Sequence, residues 1–189
     1  MSTSAPPPPD PGARRSLRRR LAGGPVARRL ALLDLRVYRL VRDDGHMPAL
    51  TPAIRRFSRA GEHAACWVAL GLAGAALDPA RRERWLRGLS AVAATYALNT
   101  LLKQVVRRRR PTLDGLPALI ATPTQLSFPS AHASSSFAAA RAYGALLPSR
   151  PLLAVATAMA WTRVYLGVHY PSDIAAGALL GTAIGSAGR

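Results

Sequence analysis

The sequence predicts an all-α membrane protein, an integral bundle of about five spanning helices with an N-terminal helix lying at the interface. Three observations carry that expectation. Five apolar segments alternate with polar or basic turns, no stretch shows the two-residue alternation of a strand, and the charges are segregated from the apolar segments. The 189-residue chain has a formal net charge of +17, yet 49% of it is hydrophobic. Arginines gather at 14–59, 81–87 and 107–110 and leave the Ala/Leu/Val/Gly stretches almost uncharged. So basic a chain could bind nucleic acid through phosphates. Its basic segments are not interleaved with aromatics, however, and segregated arginines suit an anionic membrane surface better.

From the N-terminus, residues 1–27 are dominated by Pro, Gly and Arg. Such a segment buries too little apolar surface to offset its ordering entropy, so a disordered basic tail is expected, with 28–189 as the folded domain. The first thirty residues contain no apolar stretch of the kind that directs secretion. From Arg28 to Arg42 a helical period emerges: Leu30, Leu33, Val37, Leu40 and Val41 share a face, and Arg29, Arg36, Arg39 and Arg42 lie elsewhere. This suits a helix lying on lipid, or an ordinary surface helix packed on protein.

The apolar segments follow at 61–77, 85–102, 132–147, 151–168 and 173–187, each 15 to 18 residues. A span needs ~20 residues, so flanking turns must extend them. Trp85 and Trp161 fit interfacial positions. Abundant Gly, Ala and Ser would let helices approach closely. Cys66, the only cysteine, lies within the first segment and reads as a small buried hydrophobe. If the segments cross in turn, the ends at Gly61, Leu102, His132, Val168 and Asp173 share one face. The loops at 78–84 and 148–150 and the C-terminus share the other.

The polar residues with chemical potential fall on that first face. Lys103 and Arg110 are seven residues apart, close to one helical face after two turns, and Pro111 ends the helix behind them. Two cations there can clamp one anion. Ser130 precedes an apolar helix as an N-cap, and the free N–H groups of that first turn form an anion cradle. His132 in the same turn can protonate a departing oxygen. Arg163 closes the next segment, and His169 stands four residues before Asp173, whose carboxylate can fix the imidazole tautomer for attack. Glu62 and His63, at the start of the first segment, are candidate contacts to a substrate headgroup. Arg107, Arg108 and Arg109 read as a basic cluster on lipid headgroups, and Asp114 belongs to a Pro/Gly-rich segment placed to act as a lid.

Positioned cations carry much of phosphoryl-transfer catalysis. Three cations, backbone donors and two imidazoles meet that need. The histidines lack metal-ligand spacing and no carboxylate cluster accompanies them, so no metal or cofactor is expected. A covalent route through phosphohistidine is the expectation, with a bilayer and a lipid phosphate as partners and no nucleic acid.

The three motifs resemble the tripartite signature of the type-2 phosphatidic acid phosphatase superfamily, which also includes bacterial class A acid phosphatases and vanadium haloperoxidases. The resemblance spans residues 61–187. It implies that Lys103, Arg110, Ser130 and Arg163 bind phosphate, that His132 is the general acid, and that His169 is the nucleophile oriented by Asp173. Thr162 stands where the family usually has Ser, retaining a hydroxyl. The segments Phe57 to His63 and Thr122 to Pro129 are similar to a branch of actinobacterial enzymes that dephosphorylate decaprenylphosphoryl-5-phosphoribose during cell-wall arabinan synthesis. Undecaprenyl diphosphate or phosphatidate phosphatases would use the same residues. Arginine is denser in the tail and the motif loop than opposite, which places the catalytic face in the cytoplasm by the positive-inside rule, although Arg81, Arg82, Arg84 and Arg87 oppose this.

Overall fold

The structure, a computed structural model, describes residues 24–188. Helix α1 runs Pro25–Arg39 and widens into a π turn at Leu40–Asp44. Then come α2 (Thr51–Ala60), α3 (Ala65–Leu77), α4 (Arg82–Val106), α5 (Ala131–Tyr143), α6 (Ser149–Tyr165) and α7 (Pro171–Ala187). Most of the expected tail, residues 1–23, lies outside the described residues. Pro25 and Val26 are already helical, because Pro is well suited to the first helical position.

The five apolar segments correspond to α3 to α7, each within a few residues of its expected bounds. Their number as membrane spans is a different matter. Among the described residues no single helix is long and apolar enough to cross a membrane, and only the pair Pro48–Ala60 and Glu62–Leu77, bent by 49°, passes together. The bend comes from His63 and Ala64, both at positive φ. Gly61 lies beside them, where a Cβ would meet Met159 Sδ at 2.6 Å and His132 Cδ2 at 2.9 Å.

Helix α5 is the hub. Ala133, Ser134, Ser136, Ala138 and Ala139 are fully buried, surrounded by α3, α4, α6 and α7. The α7 stripe Gly177, Gly181 and Gly185 faces its backbone, and a Cβ on Gly177 would stand 2.6 Å from Ser130 O. Small residues are therefore required at this seam. At the end remote from the motifs, Trp67, Trp85, Val92 and Tyr143 pack with the α5 alanines. Trp85 turns inward and donates its indole N–H to Asp78 at 3.1 Å, whereas Trp161 is half exposed. Cys66 packs partly buried on this core.

Polarity is inverted relative to a water-soluble bundle. The interior holds Thr95, Asn99 and the α5 serines, while Leu72, Leu77, Leu101, Val105 and Leu179 are each more than half exposed. Helix α1 follows the same logic. Leu30, Leu33 and Leu40 face outward, and the buried residues are Asp34 and Tyr38. The apolar stripe read from the sequence thus divides: Leu30, Leu33 and Leu40 point away from the bundle, while Val41 is buried and Val37 packs partly buried beside it.

Candidate active site

The chain ends that the sequence placed on one face do meet. Helix α4 does not carry Arg110, contrary to the expected pair of cations on one helical face. It stops at Val106, Arg107 takes a left-handed conformation as its cap, and residues 108–110 run extended beside 125–127. Ser127 N donates to Arg108 O at 2.7 Å and Arg110 N to Gln125 O at 3.1 Å. Arg110 precedes Pro111 and is itself driven from the helical region, so it does not continue α4.

Lys103 holds this arrangement from below. Its Nζ donates to the carbonyls of Pro129 at 2.7 Å, Ser127 at 3.1 Å and Leu126 at 3.4 Å. It anchors the approach to α5 and brings its charge to the site. Ser130 caps α5, its Oγ accepting from Ala133 N at 3.4 Å. The cap is fixed to α7 by Ser130 N donating to Asp173 O at 3.0 Å.

Arg110 crosses to the third motif. Its Nη1 donates to Val168 O at 2.7 Å and approaches His169 Nε2 at 3.1 Å, and its Nε donates to Thr124 O at 2.8 Å. A guanidinium only donates, so Nε2 presents its lone pair and the imidazole proton resides on Nδ1. That atom faces Asp173 Oδ2 at 3.5 Å, longer than an ordinary hydrogen bond. Burial pulls His169 down to about 3; Arg110 and Arg163 reinforce this and Asp173 opposes it. The ring is therefore neutral at neutral pH. Burial likewise lowers Arg110 to about 10, against the pull of Asp173, so it stays charged.

Arg163 and His132 converge on one residue that the sequence did not mark, Ser58 of α2. Arg163 Nη1 donates to Ser58 Oγ at 2.7 Å, and His132 Nε2 donates to Ser58 O at 3.0 Å. All three are buried. Arg163 Nε is buried without a protein partner, a donor open to an anion. Thr162 turns its hydroxyl back to Met159 O at 2.7 Å within its own helix. Of the two headgroup candidates, Glu62 lines a cavity beside Ser58 and Arg59. His63 does not: its Nδ1 bonds Tyr96 Oη at 2.8 Å on α4. Asp114 lines a separate cavity with Arg110 and Val168.

Arg108, read as a lipid-facing cation, is instead built into the site. Its Nη1 donates to Asp173 Oδ1 and Ser172 Oγ, both at 2.6 Å, and its Nη2 to Asp34 Oδ2 at 2.6 Å. It also stacks 4.4 Å from the Tyr170 ring centroid. Asp34 in turn accepts from Ser172 N at 2.8 Å. A lone aspartate among arginines on an amphipathic helix was the only sequence signal for this. Gly167, at φ +77°, makes the turn that delivers His169, and Tyr38 Oη donates to its carbonyl at 3.2 Å.

The site thus joins a buried neutral imidazole whose Nε2 lone pair faces Arg110, the guanidiniums of Arg110 and Arg163, a helix N-terminus and a second imidazole. Comparison with known proteins agrees with that chemistry. The profile of the PAP2 superfamily matches residues 84–188. The decaprenylphosphoryl-5-phosphoribose phosphatase of Mycobacterium tuberculosis is 42% identical over 143 residues, 74% of this chain and 78% of that protein. Its namesake from Mycolicibacterium smegmatis is 42% identical over 132 residues, 69% and 72% respectively. In fold, the chain is similar to Aquifex aeolicus LpxE, with a TM-score of 0.70 at 22% identity, covering 82% of this chain and 94% of that one. It is also similar to a transmembrane PAP2 type phosphatidylglycerolphosphate phosphatase from Bacillus subtilis, with a TM-score of 0.65 at 21% identity, covering 89% and 86%. On its sequence, and with the three motifs gathered at one end of the bundle, the chain belongs to the PAP2 superfamily.

Proposed function

We propose that the chain removes the 5-phosphate from decaprenylphosphoryl-5-phosphoribose at a membrane surface, through a phosphohistidine formed on His169. The enzyme class, phosphoric monoester hydrolase, follows from the family and its phosphatase relatives. One observation carries the mechanism: Arg110 Nη1 lies 3.1 Å from His169 Nε2, so a phosphate oxygen on that guanidinium sets phosphorus beside the lone pair. The substrate rests on the two mycobacterial relatives. The outward Leu and Val side chains support a multi-pass bundle in a bilayer.

In this reading Arg110, Arg163 and the first-turn N–H groups of α5 hold the phosphate oxygens, with Lys103 adding charge. His169 Nε2 attacks phosphorus as the P–O bond to the sugar breaks, and the departing oxygen takes a proton from His132 Nδ1. The required imidazolium is favoured by the bound phosphate, with Nε2–H kept on Ser58 O. Water then gives a proton to His132, attacks phosphorus and releases inorganic phosphate, restoring neutral His169. The cations supply the charge stabilisation that this step needs.

Phosphate release from the phosphoribosyl lipid, undecaprenyl diphosphate and phosphatidate, assayed side by side in detergent, tests the substrate. The first should give the highest kcat/KM; preference for another overturns the choice. His169→Ala should lose about 10⁴-fold or more of turnover, and rapid acid-free quenching should trap phosphohistidine in the parent only. The density of arginine at 14–59 and 107–110 supports a cytoplasmic catalytic face. Cysteines at Asp78 and Asp114 in a Cys66→Ala background, labelled from either side, should show Asp114 cytoplasmic.

A further inference from the structure

The catalytic steps leave the three arginines of α2, Arg55, Arg56 and Arg59, unused. Arg55 and Arg59 are four residues apart, so they share a helical face. That face forms one wall of a cavity of about 380 Å³, with Glu62 at its end and Leu119, Ile120 and Ala121 opposite. The opposite wall is fixed, because Leu119 N donates to Leu166 O at 2.9 Å. Ser58 lines the same cavity while bonding both Arg163 and His132, so the space begins where the phosphate cradle ends. Arg55 Nε is buried without a hydrogen-bond partner, an unmet donor of the kind that native interiors rarely leave.

We infer that this cavity is a second substrate subsite, in which Arg55 and Arg59 receive the phosphodiester of a lipid-linked sugar phosphate and Glu62 accepts from its sugar hydroxyls. The inference rests on the reading under Proposed function. A phosphoribosyl lipid carries two phosphates separated by a polyol: the monoester to be cleaved and the diester that ties the sugar to its lipid. The guanidiniums of Arg55 and Arg59, which line the cavity together with Ser58, match the second phosphate. A carboxylate beside them repels an additional phosphate but accepts O–H groups well. Diphosphate and phosphatidate lipids bring no such hydroxyls, so Glu62 turns the subsite from a general anion binder into a selective one. The position on α2, whose Phe57 and neighbouring Leu50 and Met47 are exposed, lets the lipid chain leave toward the bilayer.

The test compares kcat/KM for the phosphoribosyl lipid with that for ribose 5-phosphate, which keeps the sugar and the cleaved ester but lacks the diester. Arg55→Gln/Arg59→Gln should lower this ratio about tenfold or more, the value of a lost charge-assisted contact. Arg56→Gln, on the same helix but outside the cavity, should leave it within about threefold and so controls for general attraction to the surface. Glu62→Gln should lower selectivity for the phosphoribosyl lipid over decaprenyl diphosphate. A parent-like gel-filtration profile and thermal midpoint in detergent report that each variant is folded. An unchanged ratio in the double variant, or an equal fall in Arg56→Gln, overturns the subsite. A parent enzyme inactive on the phosphoribosyl lipid overturns the substrate reading itself, and with it the ligand assigned here.

Discussion

The guanidinium of Arg108 lies 2.6 Å from the carboxylate of Asp173, and through it α1 reaches the His169–Asp173 pair. Asp173 is fully buried, and its other oxygen accepts from Tyr170 N at 2.9 Å while facing His169 Nδ1. Asp34 on α1 holds the far side of the same guanidinium at 2.6 Å. Burial works against the charge on Arg108, but Asp173 and Asp34 outweigh it and raise its pKa above the ordinary arginine value.

Removing Arg108 therefore leaves a buried carboxylate without its cation. Arg108→Ala should destabilise the protein by about 3 kcal/mol and lower kcat more than it raises KM, because Asp173 no longer holds the imidazole in place. Asp34→Asn keeps the Arg108–Asp173 contact, so its loss of stability and of kcat should both be smaller. Thermal midpoints in detergent and steady-state kinetics separate the cases. A parent-like kcat in Arg108→Ala would show that the network is structural only.

How the site was legible follows from which interactions are local. The cap at Ser130 is sequence-local, and the N-terminus of α5 carries it as read; the turn at Gly167 and the capping contact of Asp173 are equally local. The five apolar segments likewise became α3 to α7, since periodicity and turn residues act within a few positions. Arg108 was misread because a run of four arginines looks alike in sequence. Only the extended pairing of 108–110 with 125–127 decides which one turns inward. Ser58 was invisible for a related reason: an unremarkable serine becomes central when α2 packs beside α6, a contact 105 residues away in sequence. His63, at positive φ in the α2–α3 bend, bonds Tyr96 and does not line the cavity that holds Glu62.

The neutral state of His169 gives a prediction about pH. Its folded pKa, about 3, lies below the unfolded value near 6.5. Between those values the unfolded chain binds the proton and the folded one does not, so stability falls as pH drops through that window and is fully present above it. The slope from this residue is at most about 1.4 kcal/mol per pH unit. Melting the parent and His169→Gln in detergent from pH 7 to pH 4 should show a steeper decline for the parent. Parallel profiles would mean that His169 titrates normally in the folded protein.

The α5–α7 seam makes a last prediction, in which packing controls geometry. Gly181 faces Ser134 O and the α5 backbone at Ala138, where a Cβ would overlap both, and Gly185 faces Ala138 in the same way. Gly181→Ala must push α7 off α5. Overpacking of this kind costs about 1–3 kcal/mol, and here it has a chemical consequence. Helix α7 carries Asp173, whose carbonyl accepts from Ser130 N at 3.0 Å, so separating the helices opens the distance between the His169–Asp173 pair and the N-terminus of α5. Gly181→Ala should therefore lose kcat well beyond its loss of folded protein, as measured by activity per folded molecule after gel filtration. Gly24, which has open space around its would-be Cβ, is the matched control, and Gly24→Ala should change neither quantity. Full specific activity in Gly181→Ala would show that the seam can widen without disturbing the site.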